Sequence, residues 1–256
     1  MLRSGLFWST VPLLLPQALW VKRRTPRFSA PLGVDAGVVT APGVSAAEVA
    51  VPTLRLVGLG DSIIAGVGAP TAAECLTARF AQEINKRRKI SVEWANVGRI
   101  GATTHRVLHH LAQRLPPKPA DLLLISAGVN DVTSLRRRSE WSSEIRALAD
   151  HLARHSPGAT ALFLGLPPMH VFPALPVPLR QALGLRARLF DEKLAETLAA
   201  HPTARHVPLT LEPAEGMFCA DGFHPSAATY ARIAHALAEQ LHSPLSTLES
   251  TACRSE

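Results

Sequence analysis

From Leu54 onward the chain alternates short apolar runs with amphipathic stretches, and that alternation leaves few architectures open. Runs near 54–59, 91–96, 120–126, 159–165 and 206–210 have the length of strands, and helical periodicity covers 71–88, 103–114, 139–155, 180–200 and 226–241. Strands separated by helices pair in parallel, because a parallel connection needs a crossover of a dozen or more residues. The expectation is an α/β fold of three layers, α/β/α, around a five-stranded parallel sheet. In such sheets ligands sit outside the carboxyl ends of the strands, so polar residues that terminate the runs are where chemistry is sought.

Four segments meet that description. Leu59-Gly60-Asp61-Ser62 ends the first run, Asn96-Val97-Gly98-Arg99-Ile100-Gly101 follows the second, Ser126-Ala127-Gly128-Val129-Asn130-Asp131 ends the third, and Asp221-Gly222-Phe223-His224-Pro225 lies near the C-terminus. Each alone reads as turn or capping chemistry, since Asp, Ser, Asn and Gly favour turns and helix starts. Together they supply the parts of serine-based ester hydrolysis: a hydroxyl nucleophile (Ser62), a base to take its proton (His224), a carboxylate to orient that base (Asp221), and donors for an oxyanion. Asp61 and Asp131 read as organisers of the backbone around their neighbours.

The four segments, in this order, resemble the blocks of the SGNH, or GDSL, hydrolase superfamily, and the resemblance covers roughly Leu54 to Leu241. It implies a flavodoxin-like strand order and a catalytic triad of Ser62, Asp221 and His224. It also implies an oxyanion hole made by the backbone N–H of Ser62, the backbone N–H of Gly101 and the side-chain amide of Asn130. Gly98 competes with Gly101 for that role, and the family spacing of an asparagine followed five residues later by the glycine selects Asn96 and Gly101. The implied activity is that of a serine esterase, lipase-like or lysophospholipase-like, needing no cofactor and no metal and acting on a small-molecule or lipid ester. A carbohydrate O-deacetylase or an O-acyltransferase uses the same constellation. A non-catalytic, membrane-tethered binding protein is the alternative outside enzymes.

Composition narrows the partners. The chain has 27 basic and 20 acidic residues, a net charge of +7, but five of the basic residues and none of the acidic ones lie within residues 1–27. The remainder is nearly neutral, 22 against 20, and its basic runs at 86–89 and 136–138 carry no interleaved aromatics, so nucleic acid is not expected. Cys75, Cys219 and Cys253 are too few and too widely spaced for a disulfide framework. His105, His109 and His110 have helical spacing but no acidic partner nearby in sequence, which reads as a solvated helix face.

Residues 5–21 are uncharged and mostly apolar, bracketed by Arg3 and by Lys22-Arg23-Arg24. This segment reads as membrane-directed, an uncleaved anchor or interfacial segment, with a helix docked on the domain as its rival. The charge asymmetry would leave the catalytic domain on the cytoplasmic face, with a periplasmic or exported protein as the alternative. The expected organisation is thus a membrane-directed segment (1–27), an Ala/Pro/Gly-rich linker (28–53), a hydrolase domain (54–244) and a tail (245–256). The Pro-rich stretch 166–178, after the fourth run, either walls an acyl pocket or packs as a connection on the core.

Overall fold

Apolar runs long enough to be covered on both faces build the central sheet. The computed structural model describes residues 14–24, 26, 28–43, 53–210 and 214–241. Strands β1 (Ala36–Val39), β2 (Thr53–Gly60), β3 (Ser91–Gly98), β4 (Leu122–Ser126), β5 (Thr160–Leu164) and β6 (Ala204–Val207) form one sheet in the order β1-β3-β2-β4-β5-β6. Strands β2 to β6 are parallel, and β4 is buried along its whole length, as a strand sandwiched between helices must be. Counting only these five, the order is the flavodoxin-like 2-1-3-4-5 that the resemblance implies.

Helices α1 (Leu76–Arg88), α2 (Thr104–Arg106), α3 (Val129–Thr133), α4 (Arg138–His155), α5 (Leu179–Leu198) and α6 (Ala227–Gln240) complete the layers. Phe80 and Ile84 of α1 with Tyr230, Ile233 and Leu237 of α6 pack on one face of the sheet. Trp141, Ile145 and Leu148 of α4 with Phe190 and Leu194 of α5 pack on the other. The two apolar clusters lie on opposite sides of the strands, which gives the three layers.

Several expectations change. The stretch 28–53, read as a linker, contains β1, which pairs antiparallel with β3 in the register Ala36↔Ala95 to Val39↔Val92. Four residues with alternating exposure at a sheet edge carry too little apolar signal to stand out among prolines and glycines. The helix expected over 71–88 begins instead as a 3-10 turn at Ala72–Glu74, and Cys75 then caps α1 by accepting the Ala78 N–H at 3.5 Å. The one expected over 103–114 changes pitch twice: α2 passes into a π turn at Val107–Leu111 and a 3-10 turn at Ala112–Arg114. The last strand ends at Val207 rather than 210.

In the N-terminal segment the described residues take the docked form that stood as the rival reading. Residues 14–24 are helical and docked: Leu14 and Val21 are buried in the α4/α5 cluster, and the Gln17 side chain donates to the Val177 carbonyl (3.0 Å) and accepts the Leu179 N–H (3.1 Å). Among the described residues no helix is long and apolar enough to cross a membrane, since a span needs about 20 consecutive apolar residues. Residues 1–13, 44–52 and the tail 245–256 lie outside the described residues.

Candidate active site

The carboxyl end of β2 sets the first side chain. Gly60 passes so close to β4 that a β-carbon there would collide with the Ser126 carbonyl oxygen. That approach lets the Asp61 N–H donate to Ser126 O at 3.0 Å, while the Asp61 carboxylate turns back to accept the Ile63 N–H (3.0 Å) and the Ser126 hydroxyl (2.9 Å). Asp61 is 1 % exposed, and burial pushes its carboxyl up to about 6 against the pull of those two donors. Its role is the organising one read from the sequence. Ser62 follows in a tight turn, half-buried, with its hydroxyl toward the site.

The second group comes from a loop. Between Met217 and Ser226 the chain folds back on itself: Cys219 N–H donates to His224 O at 2.9 Å and Ser226 N–H to Met217 O at 3.0 Å. The Asp221 carboxylate closes the turn by accepting the N–H groups of Phe223 (2.8 Å) and His224 (2.9 Å) on Oδ1. Its Oδ2 lies 2.5 Å from His224 Nδ1, and His224 Nε2 lies 3.0 Å from Ser62 Oγ. Burial pushes the Asp221 carboxyl up, but the bonds from the His224 ring, the two N–H groups and the Cys219 thiol outweigh it and hold it at about 2. An ionised carboxylate only accepts, so Nδ1 carries the proton and the Nε2 lone pair faces the serine.

The loop after β5 supports this turn. Phe172 packs edge-on against Phe218 (5.2 Å between centroids) and Phe223 (5.9 Å), and Ala174 N–H donates to Gly222 O. Leu166, Met169, Phe172 and Leu175 are buried in the core, so these apolar side chains of 166–178 pack as a connection rather than wall an open pocket.

Gly101 and Asn130 come together on the other side. Gly101 has φ +73° with open space around it, a conformation in which glycine is favoured for its backbone alone. One hydrogen of the Asn130 amide donates to Ala102 O at 2.9 Å, which ties α3 to the Gly101 turn and leaves the second hydrogen of that amide. Among the described residues the backbone N–H groups of Ser62 and Gly101 have no hydrogen-bond acceptor. Gly98 instead sits under the serine turn, where a β-carbon would meet the backbone of Ala65.

Buried polar bonds hold this pairing. Asp131, fully buried, accepts the N–H (2.9 Å) and hydroxyl (3.0 Å) of Thr104, whose oxygen accepts the Trp141 indole N–H at 2.9 Å. From α5 the Arg186 guanidinium, 7 % exposed, donates to the carbonyls of Val132 (3.0 Å) and Arg136. Arg186 and Cys219 escape a sequence reading: one sits in an ordinary helical stretch and the other in a chain with too few cysteines to form a pattern. The histidine cluster is the exposed helix face that was expected, and His105 Nδ1 meets an acidic partner distant in sequence, Glu144, at 2.9 Å. A cavity of about 590 Å³ opens elsewhere, between β6, α1 and α6, and Ser62, Asp221 and His224 do not line it.

Residues 59–232 match the GDSL-like lipase/acylhydrolase family. A GDSL-like esterase of Mycobacterium tuberculosis is 32 % identical over 241 residues, covering 88 % of this chain and 74 % of that protein. Among solved structures, a lipase from a goat rumen metagenome superposes with a TM-score of 0.61 at 17 % identity, covering 74 % of this chain and 98 % of that one. A family two carbohydrate esterase from Clostridium thermocellum superposes with a TM-score of 0.56 at 16 % identity, covering 73 % and 63 %. The two solved structures share the fold, while the family match and the mycobacterial relative extend to the sequence itself: this chain belongs to the GDSL-like lipase/acylhydrolase family.

Proposed function

We propose that the protein is a serine carboxylester hydrolase working through an acyl-enzyme intermediate. The observation that carries the reading is the continuous line of bonds from Ser62 Oγ through the His224 ring to Asp221. His224 Nε2 takes the hydroxyl proton as Ser62 Oγ attacks the ester carbonyl. The charge that develops on the carbonyl oxygen is met by the N–H groups of Ser62 and Gly101 and by the Asn130 amide, neutral donors with no charge to desolvate. His224 then returns the proton to the leaving alcohol, and water repeats the sequence to release the acid. Asp221, ionised throughout, fixes the tautomer and stabilises the imidazolium. Hydrolysis of a p-nitrophenyl ester series by the wild type, abolished in Ser62→Ala with the fold retained, tests this; a Ser62→Ala enzyme that turns over normally refutes it.

The substrates proposed are small or lipid-like esters. A carbohydrate O-deacetylase is the second reading, since a carbohydrate esterase shares the fold. A preference for acetylated sugars over medium-chain acyl esters in the same assays would favour it.

For the N-terminal segment we propose attachment to a membrane surface rather than a span. Leu14 and Val21 face the protein, while Leu15, Leu19, Trp20 and the cations Lys22, Arg23 and Arg24 are exposed. Co-sedimentation of the full chain with anionic but not zwitterionic vesicles supports this, and equal recovery in the supernatant with both contradicts it.

A further inference from the structure

Asp221 carries one donor beyond those that build its turn. The Cys219 thiol lies 3.1 Å from Asp221 Oδ1, the oxygen that already accepts the N–H groups of Phe223 and His224. Cys219 is fixed by its own backbone, donating to His224 O and accepting from the Gly222 N–H at 2.9 Å each, so the thiol is aimed by the same turn that aims the histidine. Burial pushes the Cys219 thiol up from its ordinary value, and the neighbouring carboxylate adds to this, so sulfur keeps its proton and acts as the donor.

We propose that Cys219 is a positioning residue of the reaction: its S–H bond to Asp221 sets how much of the carboxylate's charge reaches the His224 ring. The inference rests on the triad reading. Asp221 divides its negative charge between three donors on Oδ1 and the imidazole on Oδ2. A thiol is a weak donor, but it lies on the same side as two strong ones, and removing it returns charge to the bond with the ring. A more negative Asp221 stabilises the imidazolium more strongly, and the observable is the acidic limb of the pH–rate profile.

Other groups near Asp221 do not substitute for the thiol. Asp61, Tyr230 and Cys75 are titratable side chains near this turn, the loop after β5 carries His170, Arg180 donates to the Leu175 and Pro173 carbonyls, and α6 carries Arg232, His235 and Glu239. Asp61 is committed to Ile63 and Ser126. The Tyr230 hydroxyl donates to the Val67 carbonyl at 2.6 Å, and Cys75 Sγ accepts from Ala78 and Asn96.

The test compares wild type, Cys219→Ala and Cys219→Ser in the full chain. With alanine the acidic limb of kcat/KM is expected to move upward by about half a pH unit, with KM for a small ester unchanged. Serine, which restores a donor, is expected to bring the limb back. A purely packing role would lower kcat in both variants without moving the limb, and that outcome overturns the proposal. The low-field proton NMR resonance of the His224 Nδ1–H supplies a readout independent of turnover: it should move further downfield in Cys219→Ala and return in Cys219→Ser. Loss of all esterase activity in the wild type would refute the functional reading alone. An unmoved resonance in Cys219→Ala would refute the role of Cys219 whatever the reaction.

Discussion

Two buried carboxylates flank the serine turn, Asp61 at the end of β2 and Asp221 on the loop before α6, and they shift in opposite directions. Asp61 receives two donors in a site closed by the sheet, and burial wins. Asp221 receives four, all from its own loop and one of them the His224 ring, and the donors win. The contrast extends to the halves of the site around them. The serine half is built on strand ends and cross-linked by buried side chains: Ser126 to Asp61, Asp131 to Thr104 to Trp141, and Arg186 to the carbonyls of α3 and the residues after it. The histidine half lies on a loop that carries only an isolated β-bridge, Phe218 to Pro225, among the described residues. Local hydrogen bonds and three aromatic rings shape it, so it is expected to loosen first.

The largest effects test whether both halves serve one reaction. His224→Ala and Ser62→Ala should each lower kcat by several orders of magnitude, on the order of a million-fold by analogy with well-studied serine hydrolases. The double variant should be little worse than either, because the residues act as a unit. Additive losses in steady-state kinetics would mean that the halves act separately. On the serine side, Asn130→Ala should reduce kcat about a hundred- to a thousand-fold with a smaller change in KM. A raised KM with kcat intact would move Asn130 to ground-state binding.

The next variant separates the halves by stability. Phe172→Ala removes the ring that joins the loop after β5 to Phe218 and Phe223, at a cost of about 3 to 5 kcal/mol. Thermal loss of activity should then precede the loss of helical circular dichroism, since the histidine loop is released before the sheet. Coincident transitions would show that the two halves melt as one.

The smallest effect follows from the carboxylates. The folded protein keeps the Asp61 proton to about pH 6, whereas the unfolded chain loses it near the ordinary value of 3.8. Between those values the folded state binds more protons, so stability falls as pH rises. Asp221 has the other sign: its contribution is present above about 3.8 and is lost as pH falls toward about 2. Urea midpoints measured across this range should show Asp61→Asn erasing the decline on the upper side and Asp221→Asn erasing the loss on the acid side. Parallel curves for both variants would contradict the opposed shifts.

What was legible in the sequence follows the same division. Runs such as Leu122–Ser126 declare themselves because burial on both faces demands unbroken apolar residues, and the strand ends then locate Ser62, Gly101 and Asn130. Asp221 and His224 were legible because three residues of spacing suffice to bring them together in one turn. The supports were not. Arg186 lies 50 and 54 residues from the carbonyls it holds, and the Cys219 thiol and the aromatic clasp depend on side-chain directions that no periodicity encodes. The edge strand β1 was missed, and the docking of residues 14–24 stood only as the rival reading, because short or mixed apolar segments carry no periodic signal and tertiary contacts decide their fate.

If the proposal holds, Ser62 is a nucleophile activated by His224. The most direct test is intact-protein and peptide mass spectrometry after exposure to a fluorophosphonate. One adduct per chain, mapped to Ser62 and absent in both Ser62→Ala and His224→Ala, is the expected result. An adduct at another residue, or labelling of Ser62 at an undiminished rate in His224→Ala, would contradict it.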